Sequence, residues 1–128
     1  MKNKGRFLGN LLSKKNRKQI EVNVDLIEYL EDDIFFVFSP ALDLIGYGKT
    51  HSEARQSWET VLEEYVSYTM NKNTLVKDLE SRGWSVKGNR VESPSLTWML
   101  KNNADLSNVY NKYDFSKRRH PVSLPISA

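Results

Sequence analysis

The sequence predicts an α+β fold, in which three antiparallel strands form a sheet and one long helix packs against one face. Three observations support this prediction. Apolar and polar residues alternate over residues 19–30, as in a half-buried strand. The apolar run at residues 34–38 is too short for a helix and is rich in β-branched and aromatic side chains, which favours a central strand. An amphipathic helix is predicted at residues 52–70.

The first two strands are predicted to form a hairpin. The alternation changes phase at Ile27, so we expect a β-bulge near residues 26–27. Glu31-Asp32-Asp33 is typical of a tight turn. Pro40 ends the second strand, because proline has no amide hydrogen for a sheet. A third strand at residues 42–47 follows.

The long helix has a clear start signal. Thr50 and Glu53 have the spacing of a capping box, in which each side chain bonds the backbone amide of the other residue. Apolar residues then recur at helical spacing, which predicts one buried face. They are Ala54, Trp58, Val61, Leu62, Tyr65 and Thr69.

Several small elements are predicted beyond the long helix. A short helix at residues 74–82 ends at Gly83 in a left-handed turn. Residues 84–92 are predicted to form a small hairpin. Two short helices, at residues 96–102 and 106–113, complete this part of the chain.

The C-terminal residues 117–126 are predicted to be extended, because two prolines forbid a helix there. We expect either an edge strand or an arm that joins the sheet of a second subunit, and a frayed tail stays open as the alternative. The arm would offer alternating apolar residues across a two-fold axis and thereby favour a homodimer. These residues are Val122, Leu124 and Ile126.

Composition narrows the class of protein. A length of 128 residues favours one domain. No apolar run reaches the roughly 18 residues of a membrane span. The absence of cysteine excludes disulfides and thiolate metal sites, and it agrees with a reducing compartment. The basic N-terminus has no apolar stretch of the length that a secretory signal needs, so we expect a cytoplasmic protein.

The net charge of +3 hides an uneven distribution. Residues 1–19 carry seven Lys or Arg and no acid, residues 20–105 carry eight against fifteen acids, and residues 106–128 carry four against one. This acidic body with basic ends suits docking onto a basic partner, since complementary potentials speed and orient an encounter.

The chain divides into three predicted segments. A basic flexible arm is predicted for residues 1–18, an α/β domain for 19–93, and helices with an extended basic tail for 94–128.

Residues 20–70 contain a recognisable order of motifs. These are Glu31-Asp32-Asp33, then Phe36-Val37-Phe38-Ser39-Pro40, then Gly46-Tyr47-Gly48-Lys49-Thr50-His51-Ser52-Glu53-Ala54 before an acidic amphipathic helix. Over about 40% of the chain, this order resembles the HicB-like antitoxin family. The resemblance implies a partial ribonuclease H-like fold that lacks the catalytic acids of ribonuclease H.

The resemblance also implies a function and a partner. A protein of this family would bind and occlude a small basic HicA-like toxin, an endoribonuclease that cleaves messenger RNA, without catalysing a reaction itself. An interaction module that has lost its toxin stays open as an alternative. We place the partner contact around the glycine-rich turn, where exposed polar and aromatic residues extend from a rigid sheet. The predicted contact residues are Asp43, Tyr47, Lys49 and His51.

Little in the sequence supports an enzymatic function. A two-metal nuclease needs converging carboxylates, whereas Asp25, Asp43 and the other acids fall at turns or outward positions. His51 and His120 have no partner at the spacing of a catalytic triad or a zinc site. The glycine pair before the helix lacks the lysine–serine pair of a phosphate-binding loop. We therefore predict no catalytic, metal or cofactor site.

A second function from a different class stays open. The chain would be a nucleic-acid-binding regulator that acts through its basic N- and C-terminal ends. The C-terminal phosphate contacts would come from a run of three basic residues. This run is Lys117, Arg118 and Arg119.

Overall fold

The computed structural model describes residues 19–126 and shows an α+β fold. The predicted arm at residues 1–18 lies outside this range. The described range contains a four-stranded antiparallel sheet, a two-stranded hairpin and four helices, none of them long and apolar enough to cross a membrane. In chain order the elements are β1 (Gln19–Glu31), β2 (Ile34–Ser39), β3 (Leu44–Gly48), α1 (His51–Lys72), α2 (Leu75–Ser81), β4 (Ser85–Lys87), β5 (Arg90–Glu92), α3 (Leu96–Asn102), α4 (Ala104–Lys112) and β6 (Phe115–Pro125).

The main sheet has the order β3-β2-β1-β6, with every neighbouring pair antiparallel. The prediction of three strands is therefore wrong, because the C-terminal strand β6 adds a fourth. It pairs with β1 from Gln19↔Pro125 to Tyr29↔Phe115. One sheet thus includes strands from both the predicted α/β domain and the predicted C-terminal segment.

The pairing of β1 with β6 corrects the predicted bulge. Each residue of β1 from Gln19 to Tyr29 faces one residue of β6, with no extra residue in either strand. Leu26, Ile27 and Glu28 are nevertheless buried in succession. Successive side chains of a strand point to opposite faces, so burial of neighbours shows that both faces are covered here.

The two faces of the sheet have different covers. The helix face lies under α1, and Glu28 on this face bonds Arg55 of that helix. The second face carries Tyr29, whose ring stacks on Tyr113 just beyond α4. Strand alternation assigns the other side chains of each strand to one face or the other.

Helix α1 starts as the capping pair predicts, with one difference. The Thr50 hydroxyl accepts a hydrogen bond from the Glu53 amide at 3.0 Å. The Glu53 carboxylate accepts from the amide of Lys49 at 2.9 Å, and not from that of Thr50. The helix ends at Asn73, which adopts a left-handed φ of 59°.

The turn after α2 confirms the predicted left-handed cap. Gly83 has a φ of 91°, its amide donates to the Glu80 carbonyl, and the Trp84 amide donates to the Leu79 carbonyl at 3.0 Å. The Trp84 indole also donates to the Ala41 carbonyl at 2.7 Å. This bond fastens the region after α2 to the turn between β2 and β3.

Candidate protein-docking site

Strand β3 places two large apolar side chains in solvent. Ile45 is 43% exposed and Tyr47 is 63% exposed. Gly46 and Gly48 point toward α1, where an added Cβ would strike the helix, so Ile45 and Tyr47 project from the second face. The glycine pair therefore serves helix packing.

An aromatic row crosses the second face from Tyr47 to Tyr113. Ring centroids are 6.2 Å apart for Tyr47 and Phe36, 5.1 Å for Phe36 and Tyr29, and 5.1 Å for Tyr29 and Tyr113. The last two pairs are stacked, with interplanar angles of 15° and 20°. These ring contacts set the orientation of the aromatic groups relative to one another.

An acidic cleft of about 360 Å³ opens beside this row, between β3 and α4. None of the described residues that line it is Lys or Arg. Its carboxylates come from three separate elements: the end of β1, the turn before β3 and the first turn of α4. The residues that define the acidic cleft are Glu31, Asp43 and Asp105, with Tyr29, Ile45 and Tyr113.

The carboxylates of the cleft help to raise the pKa values of its two tyrosines. Burial raises the pKa of Tyr29, and the charges of Glu31 and Asp105 raise it further. A hydrogen bond to Glu31 is the main cause that raises the pKa of Tyr113 to about 12. Because negative charge disfavours the phenolate, the part of each shift that comes from Glu31 reflects a negative potential at this end of the aromatic row.

Asp43 is held firmly at the rim of the cleft. Its φ of 55° is left-handed, which aspartate tolerates better than most residues. Its carboxylate accepts from Asn103 Nδ2 at 3.2 Å and from Arg82 Nη1 at 3.4 Å. These bonds join the β2–β3 turn to α2 and to the α3–α4 junction.

Only two of the four predicted contact residues belong to this surface. Asp43 and Tyr47 lie on it, whereas the exposed Lys49 lies in the turn before α1. His51 lies on the helix face, where its ring packs 4.1 Å from that of Phe35. Its Nδ1 atom is 3.9 Å from Glu28 Oε1.

The exposed pair of β3, the aromatic row and the acidic cleft together form the docking surface. Sequence reasoning missed several of its residues. Ile45 was visible as an outward position of β3. Glu31 was visible only as part of an acidic turn. Asp105 and Tyr113 are distant from β3 along the chain, and only the packing of α4 on the second face brings them there.

A buried carboxylate on the helix face was also missed. Glu28 is 5% exposed and accepts from Arg55 Nε and Nη2, each at 2.9 Å, and from Arg118 Nε at 3.1 Å. Burial alone would raise the pKa of Glu28, but the bonds and charges of Arg55 and Arg118 hold it below its ordinary value. Glu28 thus ties β1 to both α1 and β6.

The predicted basic run in β6 is divided between the two faces. Arg118 points to the helix face and bonds Glu28, whereas Lys117 and Arg119 fall on the second face. Arg119 Nη1 donates to Asp25 Oδ1 at 3.2 Å. The run therefore does not form a single phosphate-binding patch.

The residues of the predicted dimer arm are used within the chain itself. Val122, Leu124 and Ile126 are each 0% exposed and belong to the core. Pro121 and Pro125 are four residues apart in β6, so their backbone nitrogens point to the same side of the strand. Proline cannot donate a hydrogen bond to β1, so this side is the outer edge of the sheet. β6 is therefore the edge strand of the chain's own sheet, one of the two forms predicted for these residues, and the prediction of an arm that joins another subunit is wrong.

The residues weighed for enzymatic roles have structural partners. Asp25 bonds Arg119, and Asp43 bonds Arg82 and Asn103. His120 is buried, with its ring edge-on to Trp58 at 5.5 Å. Among the residues that the structure describes, no group of three or more His, Asp or Glu side chains is placed to hold a metal ion.

No protein-family model, curated protein or solved structure matches the chain. The function is therefore inferred from the residues and geometry described above. The strongest of these features is the union of the aromatic row and the acidic cleft on one exposed face.

Proposed function

We propose that the chain is a non-catalytic antitoxin of the HicB type, which binds and occludes a small basic HicA-like toxin that cleaves messenger RNA. One observation carries this proposal: the second face combines exposed apolar side chains with an adjacent cleft lined by carboxylates. Occlusion would be steric and electrostatic, since the partner's RNA-binding surface would be covered by the chain.

The aromatic row is suited to be the centre of an interface. Tyrosine is enriched among the residues that dominate binding energy, because it offers a large contact area and loses few rotamers. Tyr47 and Ile45 supply exposed apolar area, and the stacked rings of Phe36 and Tyr29 support them. A partner would meet a surface that is already organised.

The charge around this row favours a basic partner. Glu31, Asp43 and Asp105 surround one end of it, and the central part of the chain is acidic as a whole. A cationic protein that binds RNA would experience attraction toward this face during the encounter.

The order of elements supports the family part of the proposal. A meander of β1, β2 and β3 is followed by the long helix α1, which packs on one face of the sheet. This order agrees with the partial ribonuclease H-like fold that the resemblance implies. The bonds of Asp25 and Asp43 to arginines support a binding role for the chain over a catalytic one.

The alternative function, a nucleic-acid-binding regulator, has less support among the described residues. Arg118 and Arg119 are engaged with Glu28 and Asp25, and they lie on opposite faces of the sheet. Contacts through the N-terminal residues would have to supply most of the affinity.

A capture experiment followed by an activity assay tests the proposal. The tagged full chain is purified from its native cell, and co-purifying polypeptides are identified by mass spectrometry and sized by gel filtration. We expect a stoichiometric complex with a small basic protein, and cleavage of messenger RNA by that protein that stops when the chain is added. Recovery of nucleic acid alone, or a partner whose RNA cleavage the chain leaves unchanged, would overturn it.

A further inference from the structure

The acidic cleft has the size and chemistry of a receptor for one long cationic side chain. Its volume is about 360 Å³, and it is bounded by an aromatic wall and by carboxylates from different elements. The wall is formed by the stacked rings of Tyr29 and Tyr113. The negative charge of Glu31 acts on both of these tyrosines. A charged planar group would find a ring to stack on and oxygens to accept its hydrogen bonds.

The same chain contains an internal example of such an arrangement. The Arg82 guanidinium lies 5.9 Å from the ring centroid of Tyr65, and its Nε donates to Asp78 Oδ2 at 2.9 Å. The Tyr65 hydroxyl donates to the same carboxylate. With the further bond of Arg82 Nη1 to Asp43, a tyrosine ring and two carboxylates from separate elements thus orient this guanidinium.

We propose that the acidic cleft receives one arginine side chain of the basic partner, with the guanidinium against the ring of Tyr113 and within reach of Glu31 and Asp105. This inference rests on the proposed function, because it names the residue type that the bound protein presents. One arginine side chain of the partner is thus assigned to the acidic cleft.

Arginine fits this cleft better than lysine. A guanidinium is planar, stacks on aromatic faces and presents a fork of donors to carboxylates, whereas an ammonium is a compact and strongly hydrated point charge. The cleft offers two separate carboxylates near one ring, which suits several donors spread over a plane. Arginine is also enriched among dominant interface residues.

The chain's own arginines leave room in the cleft. Arg82 approaches Asp43 but does not line the acidic cleft. Glu31 and Asp105 are thus the carboxylates that an incoming guanidinium would meet. Asp105 is exposed on the first turn of α4, where a negative charge is also compatible with the helix dipole.

A titration followed by NMR tests the cleft without any knowledge of the partner. The full chain is labelled with ¹⁵N and titrated with N-acetyl-arginine-amide, with the corresponding lysine amide and with citrulline amide, the uncharged analogue of arginine. We expect saturable shifts for the amides of Asp43, Ile45, Asp105 and Asn108 with arginine, weaker binding of lysine and none of citrulline. Equal responses to arginine and citrulline, or shifts that lie elsewhere, would overturn the inference.

Two variants locate the contact. Asp105→Asn removes one cleft carboxylate and is expected to weaken arginine binding by about two- to fivefold, the range of partly exposed ion pairs. Glu64→Gln removes an exposed carboxylate from α1, outside the cleft, and is expected to leave binding unchanged. The same spectra report whether each variant is folded, so a loss of binding is separated from a loss of structure. Equal effects of the two variants would show a general charge effect and refute the assignment.

The failures of this inference and of the proposed function are distinguishable. If arginine binds the cleft but no RNA-cleaving partner is captured, the proposed function fails and the cleft assignment stands. If the toxin is captured and Asp105→Asn binds it as tightly as the unmodified chain does, the arginine contact is wrong and the proposed function stands.

Discussion

A Cβ atom on Gly46 would lie 2.2 Å from the backbone nitrogen of Trp58, so β3 and α1 meet through their main chains. No other residue type leaves this space open. The close approach orients the strand, because glycines at the helix face send the intervening Ile45 and Tyr47 to the second face. Packing of the helix on one side thus creates the exposed apolar pair on the other.

Replacement of Gly46 by any larger residue should therefore destabilise the fold. We expect Gly46→Ala to lower the free energy of unfolding by about 3 kcal/mol or more, since backbone atoms cannot rotate away as a side chain would. Gly88→Ala is the control: it has open space, and its φ of 60° alone should cost about 1 kcal/mol. Urea denaturation followed by tryptophan fluorescence measures both, and equal costs would contradict the direct contact.

Loss of the buried Glu28 carboxylate should lower the free energy of unfolding more than loss of the Asp25 carboxylate, three residues earlier on the same strand. Glu28→Gln leaves Arg55 and Arg118 without their charged partner. The arginines are 48% and 39% exposed, so solvent screening reduces the expected cost to about 2 kcal/mol. Asp25→Asn breaks a pair in which Arg119 is 65% exposed, and should cost about 1 kcal/mol or less. Chemical denaturation would refute this ranking if Asp25→Asn were the more damaging.

The lowered pKa of Glu28 predicts a pH dependence of stability. Its contribution is fully present above the ordinary carboxyl pKa of 4.5 and is lost as the pH falls through the lower pKa of the folded state. The stability difference between the unmodified chain and Glu28→Gln should thus stay constant above pH 4.5 and shrink below it. Thermal unfolding between neutral and acidic pH measures this difference. A gap that grows on acidification would have the wrong sign.

Binding of the basic partner should depend on Tyr47. We expect Tyr47→Ala to weaken the complex by about tenfold or more, as for a central interface aromatic, while stability changes by no more than about 0.5 kcal/mol. Tyr68 is a matched control, since it is also 63% exposed but lies on α1. Calorimetric titration of both variants distinguishes a specific contact from a general loss of exposed tyrosine. Similar effects of the two changes would argue against the second face.

The C-terminal strand should behave as part of the core. Leu124→Ala is expected to lower the free energy of unfolding by about 3 kcal/mol, because the side chain is fully buried. Ser123→Ala, at the adjacent and partly exposed position, should be nearly neutral. Equal costs of the two changes would contradict a core role for the strand.

Local signals in the sequence predicted most of the individual elements. Thr50 marks the start of α1, Pro40 ends β2, and Gly83 closes α2, each because of a backbone requirement set by one or two residues. The phase change at Ile27 was misread as a bulge. It reflects burial on both faces, which a strand's own sequence cannot distinguish from a change in register.

The candidate site was less accessible to sequence reasoning. Tyr47 and Asp43 were found because they flank a motif near the exposed turn. Asp105 and Tyr113 join them only through the packing of α4 on the second face, which no local pattern encodes. His51 was placed with them by its proximity along the chain, although its side chain lies on the helix face.

Hydrophobic periodicity and helix capping act over a few residues, so the amino-acid sequence was enough to predict the α+β class, the β1–β2–β3 meander and the capped helix α1. Three features became visible only in the folded chain: β6 pairs with β1, Glu28 bonds Arg55 and Arg118, and carboxylates from three elements line one cleft. These contacts join residues far apart in the chain. Their free energy depends on which apolar surfaces are buried together, and that is settled when the whole chain packs.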